Sequence, residues 1–459
     1  MRRLIGDKGF YKRILLIAIP MIAQNAITSF VSFLDNIMVG MIGTEQMSGV
    51  AIVNQLLFVF NLCIFGGVSG AGIFGTQFFG KGDYEGQKFA FRFKMYASVV
   101  ITCIALLLFK LCGTELIQLY LSDNGNIGNV QLALQYGKEY LEIMVIGLLP
   151  FALSQTYISS VRETGHTFVP MMAGVVAMLT NLLLDVILIF GVGPIPALGV
   201  KGAAIATVIA RLIECAIVIV WTHMRREKNP YIVGAYSSLR IPKYILKDIV
   251  IKGFPLMVNE ILWGTSMAVI MQCYAVRGLE VVAALNISST ITNLFNIVYI
   301  QMGSCIAIIV GQYLGAGKLE EAKDANRKVV FFSVTCCMAV AVVMMLVGRI
   351  FPNIYETEEA IKELARKFIM VSAAVMPVCA FSHCCYFTIR SGGKTMVTFL
   401  FDSVCNWLIY IPIATILAKY TTLPIVLVFF LVQSLELVKA IIGFFMVKSG
   451  MWAQNITER

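Results

Sequence analysis

Seven ionisable side chains stand out inside the long apolar runs of this chain: Asp35, Glu142, Asp185, Glu260, His383, Asp402 and Glu436. An ionisable group in hydrocarbon is costly, so each is a candidate for binding an ion or a substrate. Asp185 follows Asn181 by four residues in Asn181-Leu-Leu-Leu-Asp185. That spacing stacks carboxylate and amide one turn apart on a single helix face, with leucines on the other. Two polar groups in lipid need a partner, and Asp35 is the natural one. It stands fifteen residues beyond Pro20, roughly 22 Å along a helix. Thr207, in a later apolar run, adds a hydroxyl. Carboxylate, amide and hydroxyl oxygens suit a hard cation such as Na+. Two close carboxylates suit a proton equally well, because like charges resist joint ionisation. The expected cation-coupling set is therefore Asp35, Asn181, Asp185 and Thr207, with Asp35, Asn181 and Asp185 as the ligands if the ion is Na+.

A second set is expected to line a substrate cavity: Glu260, Asn259, Gln55, Met257, Trp263 and Tyr299. A buried glutamate attracts organic cations, and thioethers and π faces accept varied ones. Pro20 and Pro255 each lack an N–H and can bend their helices, so both are expected hinges. His383, alone in its run, reads as a packed histidine. Asp402 reads as lying near the cytoplasmic end of its run. Arg162 and Arg390 read as structural clamps on carbonyls or lipid phosphate. No residue reads as catalytic: there is no His/Asp cluster and no metal spacing. The Gly-rich stretch Gly66-Gly-Val-Ser-Gly-Ala-Gly72 lacks the Lys-Ser/Thr of a phosphate loop. No cofactor is expected beyond Na+ or H+ as the coupling ion. The twelve cysteines lie mostly in apolar runs and read as small buried hydrophobes.

These residues must be positioned by membrane helices. Of 459 residues 59% are hydrophobic and 14% charged, against about 25% charged in soluble domains. Mean hydropathy is +0.83. Apolar spans occur at about 14–41, 47–77, 92–112, 134–161, 168–191, 199–223, 247–276, 282–314, 329–349, 365–389, 396–418 and 423–447. The first is too long for a signal peptide. Basic residues crowd alternate loops: Arg2, Arg3, Lys8, Lys12 and Arg13 at the start, Lys81, Lys88, Arg92 and Lys94 after span two, and a run from Arg225 to Lys247 after span six. The opposite loops are poor in them. Both termini are thus expected in the cytoplasm, with the chain in the inner membrane. The net charge of +10 is explained by this asymmetry and needs no nucleic acid. Trp221 and Trp452 are expected to anchor at interfaces.

The chain repeats itself. At an offset of 235, residues 8–92 pair without gaps with 243–327, and eighteen of the 85 positions are identical. Chance gives roughly one in fourteen. The pairs include Pro20/Pro255, Gln77/Gln312, Gly80/Gly315, Gly82/Gly317 and Arg92/Arg327. Later the offset becomes 228, pairing Arg162-Glu-Thr-Gly-His-Thr167 with Arg390-Ser-Gly-Gly-Lys-Thr395. Six spans per repeat make the halves parallel, a known transporter plan. The expected fold is all-α integral membrane, with twelve transmembrane helices in two pseudo-symmetric six-helix lobes. An N-lobe over 1–223 and a C-lobe over 247–459 flank a cytoplasmic linker at 224–246. At these offsets Asp35, Asn181 and Asp185 meet Ile270, Ile409 and Ile413, so the ion site is expected in the N-lobe alone.

The motifs Pro20 to Asp35, Val39-Gly-Met-Ile-Gly43, Gly75-Thr-Gln-Phe-Phe-Gly-Lys-Gly-Asp83, Arg162 to Met171, Asn181 to Asp185 and Gly311-Gln-Tyr-Leu-Gly-Ala-Gly317 resemble, over nearly the whole chain, the multidrug and toxic compound extrusion (MATE) family. The resemblance implies a two-lobe antiporter that expels drugs against Na+ or H+. It also implies an N-lobe cation site at the positions of Asp35, Asn181, Asp185 and Thr207. One branch of the family adds a span-seven glutamate, matching Glu260, and a span-ten aspartate. The chain has no carboxylate between Val371 and Ile389, so a C-lobe cation site is not expected. The expected partners are small organic cations, Na+ or H+ and membrane lipids, with the chain working as a monomer. The alternatives are a flippase for lipids or lipid-linked glycans and, further off, an integral-membrane enzyme. The mainly acidic intramembrane charge favours cationic cargo.

Overall fold

A backbone in hydrocarbon has no water to bond, so an apolar chain must close its hydrogen bonds locally, as helix. A computed structural model describes residues 4–123 and 129–458, the side chains at 33, 122 and 123 excepted. Arg2 and Arg3 of the basic N-terminus lie outside the described residues. Among the described residues, twelve helices are long and apolar enough to cross a membrane: α1 Lys8–Gly40, α2 Thr44–Lys81, α3 Tyr84–Leu121, α4 Val130–Glu163, α5 Phe168–Phe190, α6 Val200–Met224, α7 Lys243–Ala275, α8 Leu279–Gly315, α9 Leu319–Ile354, α10 Glu359–Ser391, α11 Thr395–Tyr420 and α12 Ile425–Lys448. Each expected span has its helix. Several run past the apolar stretch at one end: α3 and α9 begin eight and ten residues ahead of their expected spans. The charged residues there form helix readily and only leave the hydrocarbon. All twelve cysteines are free.

The chain forms two compact units, each with its own apolar cores. Unit 1 holds 1–22, 76–83 and 250–459; unit 2 holds 23–75 and 84–249. The helix α1 therefore passes from unit 1 to unit 2 just beyond Pro20, without a break. In unit 2, α5 and α6 pack along each other most extensively; in unit 1, α8 and α10 do.

The repeated glycines have local reasons. Gly82 and Gly317 adopt φ of +77° and +74°, and Gly165 and Gly393 adopt +86° and +75°. A side chain is disfavoured in that left-handed region, and the turns ending these helices need it. Gly80 and Gly315 serve closeness instead. A Cβ on Gly80 would overlap the backbone of Gln312, and one on Gly315 the backbone of Gln77. The two copies of the Gln-x-x-Gly motif thus pack reciprocally inside unit 1. Gln77 is fully buried; its Nε2 donates to the Ser391 carbonyl at 2.9 Å, and its Oε1 accepts from the Ile456 N–H at 2.9 Å. The segment after α12 is held against this contact, with Trp452 buried in the unit 1 core and its Nε1 donating to the Val447 carbonyl at 3.0 Å. Trp452 is therefore a core residue and not the interface anchor expected of it. Gly315→Ala is expected to cost about 1–3 kcal/mol through this overlap. Thermal unfolding in detergent measures it. Gly9→Ala, whose Cβ meets nothing nearer than 3.5 Å, is the control and should not lower the transition.

The basic loop after α6 is fastened by Arg92. Its guanidinium donates to the carbonyls of Ala235 at 2.8 Å, Gly234 at 3.0 Å and Arg240 at 3.0 Å. Beside it, His166 follows Gly165 in the α4–α5 turn. Burial, then nearby Lys228, holds its imidazole below the usual range, so it is neutral at physiological pH.

Candidate functional site: a buried carboxylate pair in unit 2

Helix periodicity sets the site. Asn181 and Asp185 lie one turn apart on the buried face of α5, at 6% and 1% exposure. From α1, Asp35 brings its carboxyl group within hydrogen-bonding reach of the Asp185 carboxyl. Asp35 Oδ1 and both Asp185 oxygens are buried and accept no hydrogen bond from the described residues. The Asn181 amide stands beside Asp185, yet its Nδ2 has no partner in bonding geometry. On α6, Thr207 Oγ1 spends its one proton on the Ala203 carbonyl at 3.0 Å, so it faces its surroundings only as an acceptor.

The chemistry of this set is narrow. Two facing carboxylates with no donor between them cannot both stay ionised in a low-dielectric interior unless a positive charge joins them. A proton shared by the pair, or a small hard cation held by their oxygens, meets that need. Among the described residues no group of three or more His, Cys, Asp or Glu forms. The donors therefore fit a monovalent ion better than a transition metal.

Two further unit 2 features escaped the sequence reading. Tyr140 on α4 is buried, within hydrogen-bonding reach of Thr207 and close enough to feel both aspartates. A tyrosine in an apolar run carries no mark that separates it from packing. Arg211 and Glu214 were legible as charges in an apolar run, at four and seven residues after Thr207 on one α6 face. The Arg211 guanidinium lies 5.0 Å over the Phe151 ring, and Glu214 stands between Arg211 and Arg162 electrostatically. Arg162 clamps a side-chain carbonyl: its Nη2 donates to Gln24 Oε1 at 2.6 Å. Lys94, read as a loop cation, is fully buried and paired with Glu163.

In unit 1, Glu260 faces Arg390 at 3.7 Å, and that guanidinium also lies 5.2 Å over the Phe387 ring. Arg390 is thus an ion-pair partner of Glu260. Asn259 is buried, donating to Asp402 Oδ2 at 3.2 Å and accepting from Ser403 Oγ at 2.6 Å. Asp402 therefore sits in a packed polar network, not loosely at a helix end. Met257, Trp263 and Tyr299 are half-buried in unit 1, and Gln55 is exposed on α2 in unit 2. Pro20 and Pro255 are buried within unbroken helices. His383 is packed as expected, with the rings of Phe387 and Tyr299 at 5.1 and 5.4 Å. Glu142 is exposed. The intramembrane charge is less one-sided than expected, because Lys94, Arg211, Arg390 and Lys439 are buried or half-buried within helices. Within the ion-paired network of unit 1, Glu260, Asp402 and Glu436 against Arg390 and Lys439 still leave one negative charge in excess.

Against known proteins, one family model, MatE, matches this chain twice, over residues 20–187 and 255–416. The chain belongs to the MatE family. The two matches start 235 residues apart and end 229 apart, close to both offsets of the internal repeat. Its relatives include a probable multidrug resistance protein NorM of Thermotoga maritima, 22% identical over 89% of this chain and 86% of that protein. The multidrug export protein MepA of Staphylococcus saprophyticus is 24% identical over 79% and 77%. Solved structures share the fold: a multidrug resistance MATE family transporter in an outward-facing conformation superposes with a TM-score of 0.85 at 19% identity, covering 98% of this chain and 97% of that one. A MATE transporter of Vibrio cholerae gives 0.84 at 18% identity, covering 97% and 98%. As a MatE protein the chain is a multi-pass membrane transporter and not an enzyme.

Proposed function

We propose that this chain is a multidrug exporter of the inner membrane that expels organic, mainly cationic compounds in exchange for Na+ or H+. The unpartnered Asp35–Asp185 pair carries this reading: a charge pair left without a donor in a helix bundle is the requirement of an exchangeable ion. The relatives named for multidrug resistance and export support the cargo class. The net negative charge of the unit 1 network supports a preference for cations.

In the cycle, an external cation binds at Asp35 and Asp185, with Asn181 and Thr207 completing the oxygen set. Neutralising the pair relaxes the contact between α1 and α5. Pro20, where α1 leaves unit 1 for unit 2, is the place where that helix bends. Cargo held through Glu260 and its aromatic and thioether neighbours leaves to the outside. The ion then exits to the cytoplasm, where both termini lie.

The test is transport by purified protein in vesicles loaded with an ethidium-like dye. A Na+ gradient at constant pH and a pH gradient at constant Na+ are imposed separately. One of the two should drive dye movement against its gradient. Dye movement indifferent to both would remove the coupling role of the carboxylate pair.

A further inference from the structure

One buried constellation of unit 1 takes no part in the proposed ion exchange, and it gathers around an ammonium. Lys439 on α12 is 6% exposed. Its Nζ donates to Asp402 Oδ1 at 2.9 Å and to Asn406 Oδ1 at 3.2 Å, and Glu436 Oε1 lies 3.6 Å away. The Tyr410 ring sits 5.2 Å from the same nitrogen. Two carboxylates and an amide oxygen thus surround one positive charge. The donors are fixed from behind: Asn259 Nδ2 donates to Asp402 Oδ2 at 3.2 Å, and Asn406 Nδ2 donates to Ser266 Oγ at 3.3 Å.

This oxygen set matches the two carboxylates and one amide of unit 2, without its threonine. There an Asn and an Asp four residues apart on α5 meet a carboxylate from another helix, Asp35. Here an Asp and an Asn four residues apart on α11 meet a carboxylate from another helix, Glu436. The helices α5 and α11 are counterparts, since each follows one copy of the motif that ends in Thr167 or Thr395. At the offset of 228 the α11 pair falls seven residues, about two turns, nearer the helix start than the α5 pair. Residue-by-residue alignment therefore hides it. The α11 backbone is π-helical over Leu400–Val404 and Asn406–Tyr410, where the pair lies. Such widened turns re-aim side chains and concentrate at functional positions.

What differs is the occupant. In unit 2 no described side chain donates to the Asp185 oxygens. In unit 1 a lysine does. An ammonium is a compact point charge, close to a small monovalent cation in its demand for oxygens. Tethered to α12, it competes with a free ion as an intramolecular ligand.

We propose that Lys439 is a resident counter-cation, filling in unit 1 the kind of oxygen cage that unit 2 keeps for an exchangeable ion, so that unit 1 excludes inorganic cations. The corollary, that coupling runs through unit 2 alone, rests on the function proposed above; the exclusion itself does not.

The experiment is calorimetric titration of the purified full-length protein with Na+ at pH 8. Lys439→Gln should gain one saturable Na+ site per chain relative to the unaltered protein, and adding Asp402→Asn should remove it. Lys439→Arg keeps a cation in the cage and should gain none. If Lys439→Gln does not fold, Lys439→Gln with Glu436→Gln keeps Asp402 and Asn406 as donors, restores the charge balance and should show the same gain. Unchanged Na+ stoichiometry in these folded variants overturns the proposal, whether or not Asp402 takes up a proton instead. So does a new site in Lys439→Arg. Because the reading is Na+ bound per chain and not transport, failure here is distinguishable from failure of the Asp35–Asp185 coupling, which shows in vesicles.

Discussion

Asp185→Asn is expected to abolish cation-driven dye export while leaving the protein as stable as before, and Asp35→Asn to do the same. The substitution keeps the shape of the side chain and removes the negative charge that holds the ion. One charge crossing about 100 mV supplies roughly 2.3 kcal/mol, enough for nearly a fifty-fold cargo gradient. Losing the ion loses that drive, so the dye gradient formed by either variant should fall to about one. The stability half of the expectation follows from the bonding. Both Asp185 oxygens and Asp35 Oδ1 accept no hydrogen bond from described residues, so the native fold has little to lose there. Breaking up two facing carboxylates removes a repulsion, and the unfolding temperature in detergent should hold or rise. Dye export and thermal unfolding measured on the same preparations check both halves. Full export by both variants removes the site. A collapse of the fold in either would make the pair structural.

Lys94→Met is expected to destabilise unit 2 by about 3–5 kcal/mol, because it strands a buried carboxylate. Lys94 and Glu163 have side chains only 1% and 6% exposed and pair directly. The ammonium also donates to Ser160 Oγ at 3.0 Å, and Glu163 Oε1 accepts from Ser159 Oγ at 2.8 Å. Gly72 and Gly75 of α2 back onto this carboxylate; a Cβ on either would crowd its oxygens. Water therefore has little access to a stranded charge. Removing both partners tells a different story. Lys94→Met with Glu163→Met leaves no ion to solvate and should recover most of the loss, since buried pairs replaced together are often close to neutral. A double-mutant cycle on thermal unfolding measures this. Single and double variants equally destabilised would mean that packing, not charge, dominates at this position.

Twelve spans, the parallel repeat and the unit 2 carboxylate pair were legible in the residues, and for a common reason. Hydrocarbon forces local hydrogen bonding and penalises charge, so length, hydropathy and a misplaced aspartate each mark themselves within a few residues of sequence. The i, i+4 spacing of Asn181 and Asp185 is settled by helix geometry before any packing occurs. The repeat marked its own turns, because Gly82, Gly165, Gly317 and Gly393 sit where the backbone itself demands glycine.

Partnership between opposite charges was not legible. Lys94 reads as one more basic loop residue until the fold brings Glu163 to it from 69 positions away. Arg390 reads as a clamp until Glu260 arrives from α7. Asp402 looked peripheral and Lys439 passed unnoticed, although together they form a buried polar network of unit 1 with Asn259 and Asn406. Even the likeness of that network to the Asp35, Asn181 and Asp185 set of unit 2 is concealed by a two-turn displacement along α11. By itself, the sequence determined which groups are buried in oil, because burial there follows from the local run of residues. Only the tertiary structure decided which charges are answered and which are left open, because a counter-charge acts through a few ångströms of space and is indifferent to its distance along the chain.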